Sequence, residues 1–95
     1  MDKESLTAIR SGIDRIDEEM VKLLIRRLQL VDQVAKWKME NRQQVSVPER
    51  EEEIIRKVSI LAGENYAVEV AALYRELFSL TCARESRLMA NSEGN

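Results

Sequence analysis

Three cations and two carboxyl groups stand where a helical protein could turn them to chemistry: Arg10, Arg27 and Lys38, with Glu51 and Glu85. Arg27 interrupts an apolar series, Leu6, Ile9, Ile13, Ile16, Met20 and Leu23, then Leu30, Val34 and Trp37. The steps of three and four stack these side chains on one helical stripe. A guanidinium in such a stripe must find an anion or water, because a buried unpaired charge is strongly unfavourable. Lys38 follows Arg27 by 11 residues, three helical turns, which returns it to nearly the same angle. Two long cations on one face can bracket an anion. Alternatively, Lys38 stretches into solvent and Arg27 pairs with a carboxylate of the next helix. Arg10 lies 17 residues before Arg27, about 25 Å along a helix axis. It cannot share a pocket with Arg27 in one straight helix. It can do so in a dimer whose long helices run antiparallel; otherwise it is an ordinary surface charge.

Glu85 and Thr81 continue the four-residue row from Leu77, on or beside a core-facing stripe. Desolvation drives such a carboxyl group towards its neutral form, able to donate a hydrogen bond, whereas a cation such as Lys38 would hold it ionised. The sequence leaves both open. Arg50 and Glu51 fall in the first turns of a helix, where they either support a site or merely complement the helix dipole. Cys82 reads as a small core residue and Trp37 as a packing residue.

Three helices would position these groups. The first runs from a polar lead-in (residues 1–5, with Asp2 or Ser5 as cap) to about Glu40, on the order of 55 Å. A polar link, 41–47, precedes Pro48, which suits the first turn of a second helix over roughly 48–61, with Ile54, Ile55, Val58 and Leu61 as its apolar face. Gly63 is its stop. The third helix starts near Ala67 and ends about Met89, burying Val70, Leu73, Tyr74, Leu77, Phe78 and Leu88, with a frayed tail over 90–95. The two shorter helices cannot cover the long seam, so another copy of the chain covers part of it or a large apolar patch stays exposed.

The 95 residues make a single domain, and 34% charged with 4% aromatic residues is the balance of an all-α protein. A net charge of -2 argues against a nucleic-acid binder driven by phosphate neutralisation. One cysteine and no histidine exclude an intrachain disulfide, histidine acid–base chemistry and the usual zinc or haem ligand sets. No apolar run suggests a signal peptide or membrane span, so a cytoplasmic location is expected.

Taken together, Arg10, Ile13-Asp14-Arg15-Ile16-Asp17, Arg26-Arg27, Val34-Ala35-Lys36-Trp37-Lys38 and Pro48-Glu49-Arg50-Glu51 resemble the all-helical chorismate mutase family over about residues 5–88. The resemblance implies a three-helix protomer with one long N-terminal helix, in an intertwined homodimer with two active sites. It implies conversion of chorismate to prephenate, a step towards phenylalanine and tyrosine, by an intramolecular [3,3] rearrangement without cofactor or metal. Carried over by position, Arg27 grips one substrate carboxylate and Arg10 of the partner chain the other. Lys38 donates to the ether oxygen and a carboxylate, Glu51 accepts from the ring hydroxyl, Arg50 supports the carboxylate side, and Thr81 stands where a small hydroxyl residue is typical.

Glu85 stands where the family usually has glutamine, so it must be protonated to donate to the ether oxygen. Val47 replaces a residue that is often polar or acidic. The resemblance also fits an isochorismate–pyruvate lyase, which shares the fold and the cationic positions; Glu51, an acceptor for the chorismate hydroxyl, leans towards the mutase. A non-catalytic helical dimerisation module would explain the seam but not Arg27. With no residues left over for a fused domain, a free-standing enzyme is expected.

Overall fold

In a computed structural model, described over residues 2–93, the chain forms three helices: α1 (Lys3–Glu40), α2 (Pro48–Ala62) and α3 (Ala67–Glu93), with no strand among the described residues. The all-α, three-helix expectation holds. α1 begins earlier than the polar lead-in suggests, because Asp2 takes the cap: its Oδ1 accepts from the Ser5 N–H at 2.7 Å. α3 continues past the expected end at Met89 as far as Glu93, since nothing in Ala90-Asn91-Ser92-Glu93 breaks a helix. Gly94 and Asn95, the end of the tail read as frayed, lie outside the described residues.

The chain divides into two compact units, one ending at Leu30 and the other starting at Val31. The N-terminal unit is a length of α1 whose apolar residues are largely exposed among the described residues. Ile9, Ile13, Ile16, Met20 and Leu23 are 46–60% exposed. The second unit comprises the last turns of α1 with α2 and α3. Here α2 and α3 pack directly on each other, while the end of α1 meets α3 through long polar side chains.

The turn that ends α1 is closed by its own backbone. Arg42 N–H donates to Met39 C=O and Gln43 N–H to Lys38 C=O, and Arg42 takes a left-handed φ of 54°. This pattern satisfies the last carbonyls of a helix, with arginine where glycine is commoner. α2 opens on Pro48, with Glu49 and Glu51 in its first turn. It closes at Gly63, whose φ of 79° and ψ of 167° lie in a region open essentially to glycine, and whose N–H reaches the Ser59 and Ile60 carbonyls.

The buried row of α3 differs from the sequence-based expectation. It runs Ala71, Tyr74, Phe78, Thr81, Glu85, again in steps of three and four, with Tyr74 half-buried and the others buried. Tyr74 and Phe78 meet edge to face at 6.2 Å. Leu73 falls off this row and is 57% exposed, and Leu61 of α2 is 75% exposed. Trp37, expected to pack, is 56% exposed, since no described part of its own chain covers it. A row that ends in a hydroxyl and a carboxyl group is built for more than packing. No helix among the described residues is long and apolar enough to cross a membrane.

A Cβ at Gly63 would meet nothing within 4 Å, so substitution there is a test of backbone conformation alone. Gly63→Ala is expected to destabilise the protein by about 1–2 kcal/mol, read as a lower midpoint in urea unfolding.

Candidate active site around Lys38 and Glu85

Lys38 lies in the last turn of α1, where the helix dipole favours a cation. Its ammonium group is drawn inward rather than outward. Nζ donates to the Val45 carbonyl at 2.6 Å and to Glu85 Oε1 at 3.1 Å. The Lys38 and Glu85 side chains are only 12% and 6% exposed. Thus the reading in which Lys38 simply extends into solvent fails. An ammonium carries three protons, so two acceptors occupy two of its donors.

The connection between α1 and α2 supplies the first acceptor. The turn through Arg42 folds the chain back so that the Val45 carbonyl meets the side chain of Lys38, while the Lys38 backbone carbonyl receives Gln43 N–H at 2.8 Å. One lysine therefore ties the connection through both its side chain and its backbone. α3 supplies the second acceptor from the last position of its buried row.

Three more groups face the same neighbourhood. Glu51, half-buried in the first turn of α2, accepts from Ser46 Oγ at 3.3 Å. Thr81 is buried and donates to the Phe78 carbonyl at 3.2 Å, back along its own helix. Burial pushes the Cys82 thiol up, and the carboxylates of Glu51 and Glu85 push it further, against the opposing charge of Lys38. A cavity of about 530 Å³ opens beside Glu51, between α2 and α3, with Ile55, Arg56, Arg75 and Phe78 in its wall. Lys38 and Glu85 do not line it; their side chains close on each other.

Arg50 is exposed and pairs with Glu53 one turn along its own helix. Arg10 is exposed and Arg27 half-buried, both in the N-terminal unit. Among the described residues no group of three or more histidine, cysteine, aspartate or glutamate side chains converges to hold a metal ion.

Sequence reasoning missed one strong contact. Arg84, the neighbour of Glu85, grips Asp32 with both arms: Nε to Oδ1 at 2.6 Å and Nη2 to Oδ2 at 2.7 Å. Such forks are the tighter, more directional class of ion pair. The two residues stand 52 positions apart, and no local spacing announces the pair. The Val45 carbonyl was equally silent, since backbone acceptors carry no residue signature.

The family model for chorismate mutase type II matches residues 9–86, most of the chain. The chain belongs to the chorismate mutase type II family. Among curated proteins it is 34% identical to a bifunctional chorismate mutase/prephenate dehydratase of Aquifex aeolicus, over 90% of this chain and 25% of that protein. A protein of the same description from Buchnera aphidicola is 32% identical, over 90% and 23%. The T-protein of Haemophilus influenzae is 34% identical, over 78% and 18%. The chain spans about a quarter of the length of the first of these relatives. No solved structure matches it significantly. The chorismate mutase resemblance carried by the runs at 13–17, 26–27, 34–38 and 48–51 is therefore borne out, and the Lys38–Glu85 pair falls within the matched segment.

The Asp32–Arg84 fork carries a pH dependence whose sign is set by its geometry. The guanidinium holds the Asp32 carboxyl below the usual aspartate range. The unfolded chain therefore takes up this proton at higher pH than the folded chain does. The fork stabilises the fold above the usual aspartate range, and this contribution disappears as pH falls below it. Asp32→Asn is expected to lower the thermal midpoint at neutral pH, with the gap from the parent closing in melts taken at progressively more acid pH.

Proposed function

We propose that this chain is a chorismate mutase, rearranging chorismate to prephenate. The observation that carries the reading is the buried Lys38 ammonium, held by the Val45 carbonyl and Glu85, in a chain of the chorismate mutase type II family. The rearrangement breaks an ether C–O bond and forms a C–C bond within one molecule. It needs no nucleophile and no proton transfer along the reaction path. What a protein can add is confinement of the reactive folded geometry and donors aimed at the oxygen that gains negative charge. A lysine with a proton to spare, oriented by two fixed acceptors and shielded from water, meets the second need.

In this reading Lys38 donates to the ether oxygen and a substrate carboxylate, and Arg27 binds a carboxylate. Glu51 accepts from the ring hydroxyl, with Arg50 and Thr81 supporting the substrate. Arg10 acts on the site of a second copy. Support for the homodimer comes from the uncovered face of α1: a continuous stripe from Ile9 to Leu23 is the kind of patch that marks an interface. A second copy would also relieve a core that, within this chain, buries few large apolar side chains.

Glu85 has a double role in the proposal. Facing Lys38 at 3.1 Å, an ionised carboxylate orients the lysine well but would repel the developing negative charge on the ether oxygen. The productive form carries a proton and donates. Glu85→Gln, whose amide donates without needing a proton, is therefore expected to keep or raise kcat, and Glu85→Ala to lower it; a kcat in Glu85→Ala equal to the parent's would remove Glu85 from the donor role.

The reading as a whole is tested by incubating purified protein with chorismate and following prephenate. Lys38→Ala is expected to reduce kcat by about 10²–10³-fold. Arg27→Leu is expected to abolish measurable turnover, with helical content by circular dichroism unchanged in both. Product analysis with isochorismate, seeking salicylate and pyruvate, separates the lyase. If neither substrate reacts and Arg27→Leu makes the dimer more stable, the chain is a dimerisation module instead.

A further inference from the structure

We propose that the Asp32–Arg84 fork is a positioning device for the proposed catalytic lysine, fixing the end of α1 against α3 so that Lys38 keeps its aim while Glu85 changes partner. The inference rests on the chorismate mutase reading above and extends it to two residues outside the substrate site.

Arg84 immediately precedes Glu85 on α3, and Asp32 precedes Lys38 by six residues on α1. The two ion pairs thus bridge the same two helices, side by side. They differ in construction. Lys38–Glu85 is a single contact of one ammonium with one carboxylate oxygen, at 3.1 Å. Asp32–Arg84 is a planar two-point contact at 2.6 and 2.7 Å. A single contact lets its partners rotate about one line, whereas a fork defines both distance and relative orientation.

The end of α1 meets α3 through long polar side chains rather than direct backbone packing. Ala35 and Met39 of α1 also line one cavity with Leu88 and Met89 of α3, but such apolar contacts are non-directional, so the ion pairs set the relative orientation. Substrate must take over part of the hydrogen bonding that Lys38 and Glu85 now give each other. At that moment the inner pair is loosened, and the outer fork still spans the gap. Arg84 stays charged, its guanidinium stabilised by Asp32, and Asp32 stays ionised beside it. The fork is one-third exposed, at 38% and 34% for the two side chains, so it lies at the rim and leaves the interior to Lys38 and Glu85.

Displacements of about an ångström near a reacting centre cost up to roughly a hundredfold in rate. The test uses full-length protein with chorismate, measuring kcat and KM separately at neutral pH for four forms. These are the parent, Asp32→Asn, Arg84→Lys and the charge-swapped Asp32→Arg/Arg84→Asp. Loss of the fork is expected to lower kcat by about tenfold with KM changed less than twofold. Arg84→Lys, which keeps the charge but not the fork, is expected to fall with Asp32→Asn. The swapped pair, which restores a fork, is expected to recover at least half of the loss. A role in folding alone would reduce the amount of active protein instead. Concentrations of folded protein are therefore fixed by circular dichroism and the rates repeated well below each variant's melting temperature. Unchanged kcat in Asp32→Asn with an active parent overturns the positioning role and leaves the mutase reading intact. A kcat retained in Arg84→Lys overturns it too, since charge alone would then suffice. A parent that forms no prephenate overturns the mutase reading and this inference with it.

Discussion

A lysine whose side chain is only 12% exposed is the constraint on which the rest of the second unit depends. Removing such a charge from water is costly unless acceptors replace the lost hydration. The surrounding structure supplies them from two directions. The connection after α1 reverses through a left-handed Arg42 and delivers the Val45 carbonyl, and α3 ends its buried row with Glu85 rather than another leucine. Both features are unfavourable in isolation: a non-glycine residue at positive φ, and a carboxyl group in a core. Together they make one satisfied polar cluster.

That arrangement explains why so little apolar core accompanies so much helix. Among the described residues the buried apolar positions are Ala35, Ala71 and Phe78, two of them alanines. Interior space in the second unit goes to Thr81, Glu85 and the arm of Lys38. Twenty large hydrophobic side chains remain exposed in the same set, many of them on α1. A domain that commits its interior to polar groups must find apolar burial elsewhere, and the face of α1 is where it has the material for it.

How much of this could be read from residues alone depends on the range of the interaction. Helix existence is a local property, so periodicity, Pro48 and Gly63 located all three helices to within a few residues. The end of α3 was missed because fraying was inferred from lost apolar rhythm, whereas helix continuation needs only the absence of breakers. The face of α3 was partly misassigned because hydrophobicity pointed to Leu73, while the buried position is the small Ala71. Close helix approach favours small residues, and that preference leaves no apolar peak in the sequence. Lys38 and Glu85 were legible as odd residues at regular positions, and their pairing was legible only as one of two open alternatives, which the contact at 3.1 Å decides. Nothing in the sequence singled out Asp32 or Arg84, because a contact spanning 52 residues has no period to betray it.

The two ion pairs that join α1 to α3 show why charge count is a poor guide to role. The outer fork has the better geometry, yet it is one-third exposed, where solvent screens much of its attraction. The inner pair has poorer geometry, yet it sits where the effective dielectric is low and each contact is stronger. A permanent link benefits from directional bonding and tolerates screening. A working pair needs the reverse: strong coupling to whatever charge approaches, and a contact single enough to be exchanged. Assigning the rigid job to arginine and the exchangeable one to lysine follows the chemistry of the two groups, a planar five-donor fork against a compact point charge on a flexible arm. Reversing the assignment would put the group least able to let go at the proposed site, where bonds would have to change.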